Sequence, residues 1–322
     1  MTSRRALLAG AGLLAAPATL RAQPAWPADK PVEVVVPFPA GGGVDVMTRL
    51  VVPLIAAQIP GFRPVVVNRT GAAGQIGLEA IFNAALDGYT IGATTIPAHN
   101  AIPLERQVRY RAMDFTFLCN IVEDANCFCV RAESPFRSVA DIVAAARARP
   151  NYVTYGTTGI GSDDHLFMLA FEAAANVPPM VQVPFAGSAP LIPQLLGGNM
   201  DMAVMNVNDA PQLVREGRLR MLAQGGARRQ PEAAEVPTFR ELGFDVVGGA
   251  SRGIVGPPGM PAPVVARLEA AFRAAMNDEG FRREAERQNM PLRPLIGAEY
   301  KAFAQGIDDN LKRLWAVRPW RG

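Results

Sequence analysis

Hydrophobic positions along the chain switch repeatedly between two spacings. Val32–Val36 predicts a strand, and its continuous apolar stretch Val34-Val35-Val36 has the pattern of a buried one. Val44–Gln58 carries the wider spacing of a helix, Pro64–Val67 predicts a strand, and Ile76–Ala85 a helix ending near Asp87-Gly88. Thr90–Thr94, Phe115–Val122 and Cys127–Val130 predict strands, followed by a helix over Val139–Arg149 with Ser138 as its N-cap. The second half continues with strands at Val153–Tyr155, Met180–Val183, Asp201–Met205, Leu219–Ala223 and Gly253–Val255. Helices are expected over Asp164–Ala175, Ala189–Leu196 (stopped by Gly197-Gly198), Ala210–Glu216, Ala262–Asn277 and Ala298–Trp315.

Strands alternating with helices predict parallel βαβ units and an α/β class. Boundaries are expected near Asp124–Asn126 and Phe244–Gly249. They divide the chain into a first lobe, 23–125, a second lobe, 126–247, and a return to the first, 248–322. Each lobe would be a mostly parallel sheet flanked by helices, and two strands near Asn126 and Val247 would link them. Ligands of such sheets bind at the carboxyl ends of the strands.

The first residues bear on the compartment. Arg4-Arg5 precedes the apolar run Ala6–Ala16, which is too short to span a bilayer, and Ala22 offers a small residue for cleavage. Residues 1–22 are therefore expected to be an export signal. The two arginines suit either a twin-arginine signal or the basic start of an ordinary Sec signal. Removing Arg4, Arg5 and Arg21 changes the charge balance: 32 basic residues become 32 − 3 = 29, against 29 acidic ones. A neutral mature chain offers no surface for nucleic acid or anionic membrane.

Only Cys119, Cys127 and Cys129 are cysteines. Cys127 and Cys129 alternate on one strand face and are expected to be buried free thiols, although an exported pair could close. With His99 and His165 as the only histidines, and neither at ligand spacing from a cysteine, no metal site is expected.

The chemistry concentrates in glycine turns where a strand meets a helix. In Phe38-Pro39-Ala40-Gly41-Gly42-Gly43-Val44-Asp45 the backbone is bare at a helix start. The first N–H groups of a helix have no internal partner and carry partial positive charge, so a carboxylate can sit against them. Thr157-Thr158-Gly159-Ile160-Gly161-Ser162 repeats the arrangement and adds hydroxyls. It equally suits an ordinary cap made by Ser162 or Asp163. His165 follows on the first helical turn, either as a donor to the cleft or as a packed side chain. Phe185-Ala186-Gly187-Ser188 is a third such turn, with Ser188 expected as N-cap and Phe185 serving ligand or core. Asn68–Gly77 is a fourth glycine turn. No Gly-x-Ser-x-Gly elbow, His-Glu-x-x-His or P-loop is present, so neither catalytic residues nor a cofactor are expected. A secreted α/β enzyme acting on a carboxylate is the alternative, and it lacks a visible nucleophile, base or metal.

The segments Val36–Asp45, Val66–Gly74, Asp87–Thr90, Tyr155–His165, Pro184–Pro190, Gly197–Asp201, Glu235–Thr238 and Gly256–Pro261, in that order, resemble the Bug family. These are extracytoplasmic substrate-binding proteins of tripartite tricarboxylate transporters. The resemblance implies a two-lobed, monomeric periplasmic protein with hinge closure, holding a small organic carboxylate for two membrane permease subunits or for sensing. It also implies that the loops Phe38–Gly43 and Thr157–Ser162 hold the carboxylate, with the Ala186–Ala189 turn and Asn206 lining the rest. One departure stands out: Met205 occupies the position before Asn206 where relatives often carry an acid.

Overall fold

A computed structural model describes residues 26–288, 290–317 and 319–320. The expected export signal, 1–22, lies outside the described residues. The elements run β1 (Val32–Val36), α1 (Gly43–Gln58), β2 (Pro64–Asn68), α2 (Gln75–Phe82), β3 (Thr90–Ile96), α3 (Ala98–Glu105), β4 (Thr116–Arg131), α4 (Val139–Ala148), β5 (Thr154–Thr157) and α5 (Asp163–Ala175). They continue with β6 (Val181–Pro184), α6 (Ser188–Leu196), β7 (Met202–Asn206), α7 (Pro211–Arg215), β8 (Leu219–Gln224), β9 (Gly249–Gly256), α8 (Ala262–Asn277), α9 (Glu279–Arg287), β10 (Leu292–Ile296) and α10 (Ala298–Val317).

The strands form two lobes that share β4. One lobe carries the order β2-β1-β3-β9-β4, with β10 also on β4, and the other β4-β7-β5-β6, with β8 also on β4. Pairing is parallel among β2, β1 and β3 and among β6, β5 and β7. It is antiparallel at the shared strand and at β9. β4 stays paired with β9 as far as Ala125↔Gly249 and takes up β7 at Asn126↔Asn206.

Val34 and Val36 pack beneath α1 and α8, while Val35 points to the opposite layer with Ile81 and Tyr300. That two-sided burial is why β1 carries valine at every position except the partly exposed Glu33. In the second lobe Phe128, Phe171 and Phe239 stack edge to face, with Phe128 centroids 4.8 and 4.7 Å from the other two. Ser138 caps α4 in a reciprocal box with Asp141, and Gly198, at φ +74°, turns the chain out of α6.

The sequence pattern differs from the structure in four places. Phe115–Val122 and Cys127–Val130 are not two strands but one 16-residue strand. Asp124 and Asn126 resemble a break because they are polar, yet both are fully buried and find partners inside the protein. α3 escapes the hydrophobic pattern because it is short and contains Pro103. α9 buries only Phe281 and Ala285 of nine residues, too few for a periodic signal. β10 is short and contains Pro294. The three cysteines are free and buried, with the sulfurs of Cys127 and Cys129 3.6 Å apart.

The lobes touch across the cleft. Leu166 of α5 packs with Ala101 of α3, Leu311 of α10 and Trp320. Glycines make the closest approaches. A β-carbon on Gly159 would lie 2.7 Å from that of Ala73, one on Gly161 2.7 Å from Glu105 Oε2, and one on Gly187 2.9 Å from Pro39 Cδ.

Candidate functional site

Three strand-to-helix loops converge on a cleft between the lobes. It is lined by Phe38, Gly42, Gly43, Thr158, Ser162, Gly187, Ser188 and Asn206 from the expected set, and by Pro39, Val44, Thr95, Ala98, Asp163, Asp209, Ala250 and Arg252 besides.

The loop after β1 turns at Gly41, φ +79°, and opens α1 at Gly42 with no side-chain cap. Asp45 does not face the cleft. Its Oδ2 accepts the Gly41 N–H at 2.9 Å, and Oδ1 accepts from Asn68 Nδ2 at 2.9 Å and Arg49 Nε at 3.0 Å. Burial opposes ionisation of this carboxyl, but those bonds outweigh it and hold the group below its ordinary range. Asp45 thus ties the loop from behind. Ala40 is exposed away from the cleft, and Gly41 faces a neighbouring chamber instead.

In the second loop the consecutive polar residues divide the work. Ser162 caps α5 by accepting the His165 N–H. Asp164 accepts from both the amide and the hydroxyl of Thr158, at 3.0 and 2.6 Å. His165 offers no donor to the cleft through Nδ1, which accepts the Gly161 N–H at 3.1 Å. Burial lowers its pKa to about 4, so the ring is neutral at pH 7. Thr157 is fully buried and accepts from Gln182. Gly159 and Gly161 are spent on contacts with the opposite lobe rather than on the cleft wall.

The third loop corrects one expectation. Gly187, at φ +151°, is the N-cap of α6, and Ser188 is its first helical residue, with its side chain left to line the cleft. Phe185 packs into the second lobe's core, and Ala186 does not line the cavity. Met205 also faces that core, so its departure from the family pattern does not alter the cleft wall. Strand alternation puts Asn206 on the other side, where it does line the cleft.

The opposite wall is a buried charge network that the motifs do not reveal. Arg252 of β9 is 5% exposed. Its Nη1 lies 3.3 Å from Asp124 Oδ2, and Nη2 donates to Asn206 Oδ1 at 2.7 Å and Asp209 Oδ1 at 3.2 Å. Asp163 Oδ2 accepts from Asn126 at 2.8 Å and Asn206 at 3.0 Å. Burial pushes the Asp124 carboxyl up to about 7 against the pull of Arg252. It raises Asp164 and Asp209 as well. Burial disfavours the Arg252 cation, but Asp124 and Asp209 outweigh it and keep the guanidinium charged. The available signal was Arg252 itself, a lone charge inside the apolar strand Ala250–Val255. Thr95, near the end of β3, and Ala98, at the start of α3, form a further strand-to-helix junction without a glycine motif to mark it.

Among the described residues no cluster of His, Cys, Asp and Glu is arranged to hold a metal, and no helix is long and apolar enough to cross a membrane. The arrangement can bind an anion by backbone and hydroxyl groups. α1 and α6 present helix N-termini that no side chain caps, and α5 adds a third.

Comparison with known proteins agrees. The family model described as the tripartite tricarboxylate transporter family receptor matches residues 51–317. BugT of Bordetella pertussis is 30% identical over 281 residues, covering 84% of this chain and 82% of that protein. A Rhodopseudomonas palustris protein solved with adipate superposes with a TM-score of 0.82 at 27% identity, covering 91% of this chain and 97% of its own. MatC of Rhodopseudomonas palustris, solved with bound malate, superposes at 0.79 with 26% identity, covering 89% and 98%. Family and fold both point to a binding protein rather than an enzyme. The chain belongs to the tripartite tricarboxylate transporter receptor family, the Bug proteins.

Proposed function

We propose that this protein captures a small organic carboxylate in the periplasm, in the cleft between its lobes, and presents it to the two membrane subunits of a tripartite transporter or to a sensor. One observation carries the reading: the N-termini of α1, α5 and α6 meet at one cleft, two of them without a side-chain cap, beside the hydroxyls of Thr158, Ser162 and Ser188. A carboxylate there receives hydrogen bonds from the Gly42–Gly43 backbone and from the Ser162 and Ser188 hydroxyls, and the helix dipoles supply the positive potential. The malate and adipate held by the two R. palustris relatives support the same ligand class.

The lobes, 23–125 with 248–322 and 126–247, act as single-chain jaws of a monomer and close around β4 and β9 on binding. Residues 1–22 direct export, by the Sec or twin-arginine route. Calorimetry and thermal-shift screening against organic acids test the reading. Ligand at a hundredfold excess over Kd should stabilise the fold by about 2.7 kcal/mol. If no acid stabilises the protein, and native mass spectrometry of freshly purified protein finds none bound, the carboxylate reading fails.

A further inference from the structure

The cleft has a neighbour. A second chamber of about 290 Å³ lies beyond it, lined among others by Met47, Val122, Asn208, Arg215 and Met290. The cleft itself, open on one side, offers only about 30 Å³ to water-sized groups. Gly43, Asp209 and Arg252 line both spaces. A β-carbon on Gly43 would fall on Arg252 Nη1, 3.0 Å from Cζ and 3.1 Å from Asp209 Oδ1. The guanidinium therefore packs directly on the Gly43 backbone. It is anchored there by Asp124, Asn206 and Asp209.

We propose that Arg252 is a specificity-determining wall that limits the length of the bound carboxylate. This rests on the carboxylate reading above. A space of some 30 Å³ holds about two water-sized groups, enough for a carboxylate head with little behind it. A longer chain has to displace the guanidinium from three partners or hold the lobes apart. Without the wall the two spaces join, and a long chain extends into the larger chamber at little cost. The wall works by bulk, so an uncharged side chain of similar length preserves it.

The test is calorimetric titration of the straight-chain dicarboxylates from succinate to suberate, on the full mature chain. Wild type should bind succinate about tenfold or more tighter than adipate or suberate, the scale by which a filled pocket rejects extra methylenes. Arg252→Ala should erase that preference, and Arg252→Met should keep it. Should Arg252→Ala not fold, Arg252→Ala/Asp209→Asn removes the charge together with a partner and is titrated instead. Suberate binding wild type as tightly as succinate overturns the wall whatever the variants do. Equal loss of selectivity in Arg252→Met and Arg252→Ala also overturns it, because Arg252 would then act through charge. If wild type binds no member of the series, or any other acid, the carboxylate reading falls and takes the wall with it.

Discussion

The two walls of the cleft are built on opposite plans. The glycine wall is made of backbone: loops after β1, β5 and β6 present amides and small hydroxyls, and the carboxylate nearest the first of them, Asp45, is turned away to hold the loop. The Arg252 wall is made of side chains, with a single cation among the shielded carboxyl groups of Asp124, Asp163, Asp164 and Asp209. The first can receive an anion without any charge of its own being moved. The second pairs its cation mainly with its own acids and offers a ligand chiefly shape. Affinity for the carboxylate head should therefore respond to changes in the glycine wall, and stability and the choice of ligand length to changes in the arginine wall.

The largest expected effect lies in the second. Arg252→Met leaves buried acids without their cation and should lower the unfolding free energy by about 3–5 kcal/mol. Adding Asp209→Asn should recover part of that loss, since the two residues are in contact and their effects do not add. Urea denaturation of both variants decides it, and a single variant as stable as wild type would mean the network is not the wall's support.

Gly42→Val probes the other side. Gly42 has φ −78°, and a β-carbon there would meet only Pro39 O at 3.4 Å and Ser188 Oγ at 3.5 Å. The variant should fold normally, with the branched side chain in the cleft. Affinity should drop at least tenfold, about 1.4 kcal/mol. Unchanged affinity in calorimetry would move the carboxylate site away from this loop.

A pH series separates the walls further. Asp124 has an ordinary pKa of 3.8 and a folded value near 7. Its contribution to stability is therefore fully present below about pH 4 and is lost as pH rises through 7, with a slope of at most about 1.4 kcal/mol per pH unit. The stability of wild type relative to Asp124→Asn should fall between pH 5 and 8. Parallel curves from denaturation at several pH values would rule out titration of Asp124 in that window.

The smallest effects contrast two serines. Ser162 caps α5, so Ser162→Ala should cost about 1 kcal/mol of stability as well as affinity. Ser188 caps nothing, so Ser188→Ala should weaken binding by about 0.5–1.5 kcal/mol and leave the melting temperature in place. Equal melting temperatures for the two variants would remove the distinction.

The same contrast explains what the chain discloses before folding. Gly41–Gly43, Thr158, Ser162, Gly187 and Ser188 sit in contiguous motifs, because a backbone wall is made where one strand hands over to the next helix. Arg252, Asp209, Asp163 and Asn126 come from four separated segments, and only the tertiary fold brings them together. Asp124 and Asn126 imitate a loop because polarity within a strand is ordinarily solvent's work; here it is the network's. Ser188 resembles a cap by residue type, while Gly187, at φ +151°, takes the position through backbone freedom. His165 shows the same limit: its place on the first helical turn is legible, but its use as an acceptor for Gly161 is set by tertiary packing.

Gly159, Gly161 and Gly187 have a mechanical consequence for the jaws. At Ala73, Glu105 and Pro39 the lobes meet with no more than hydrogen atoms between them, so these glycines are the bite stops of the molecule. Under the closure proposed above they would fix how far the lobes shut, to within the thickness of a methyl group. Each also holds a positive φ that a larger residue resists. Any side chain added there would act as a wedge, propping the mouth ajar and leaving the helix N-termini of one lobe short of a ligand held by the other.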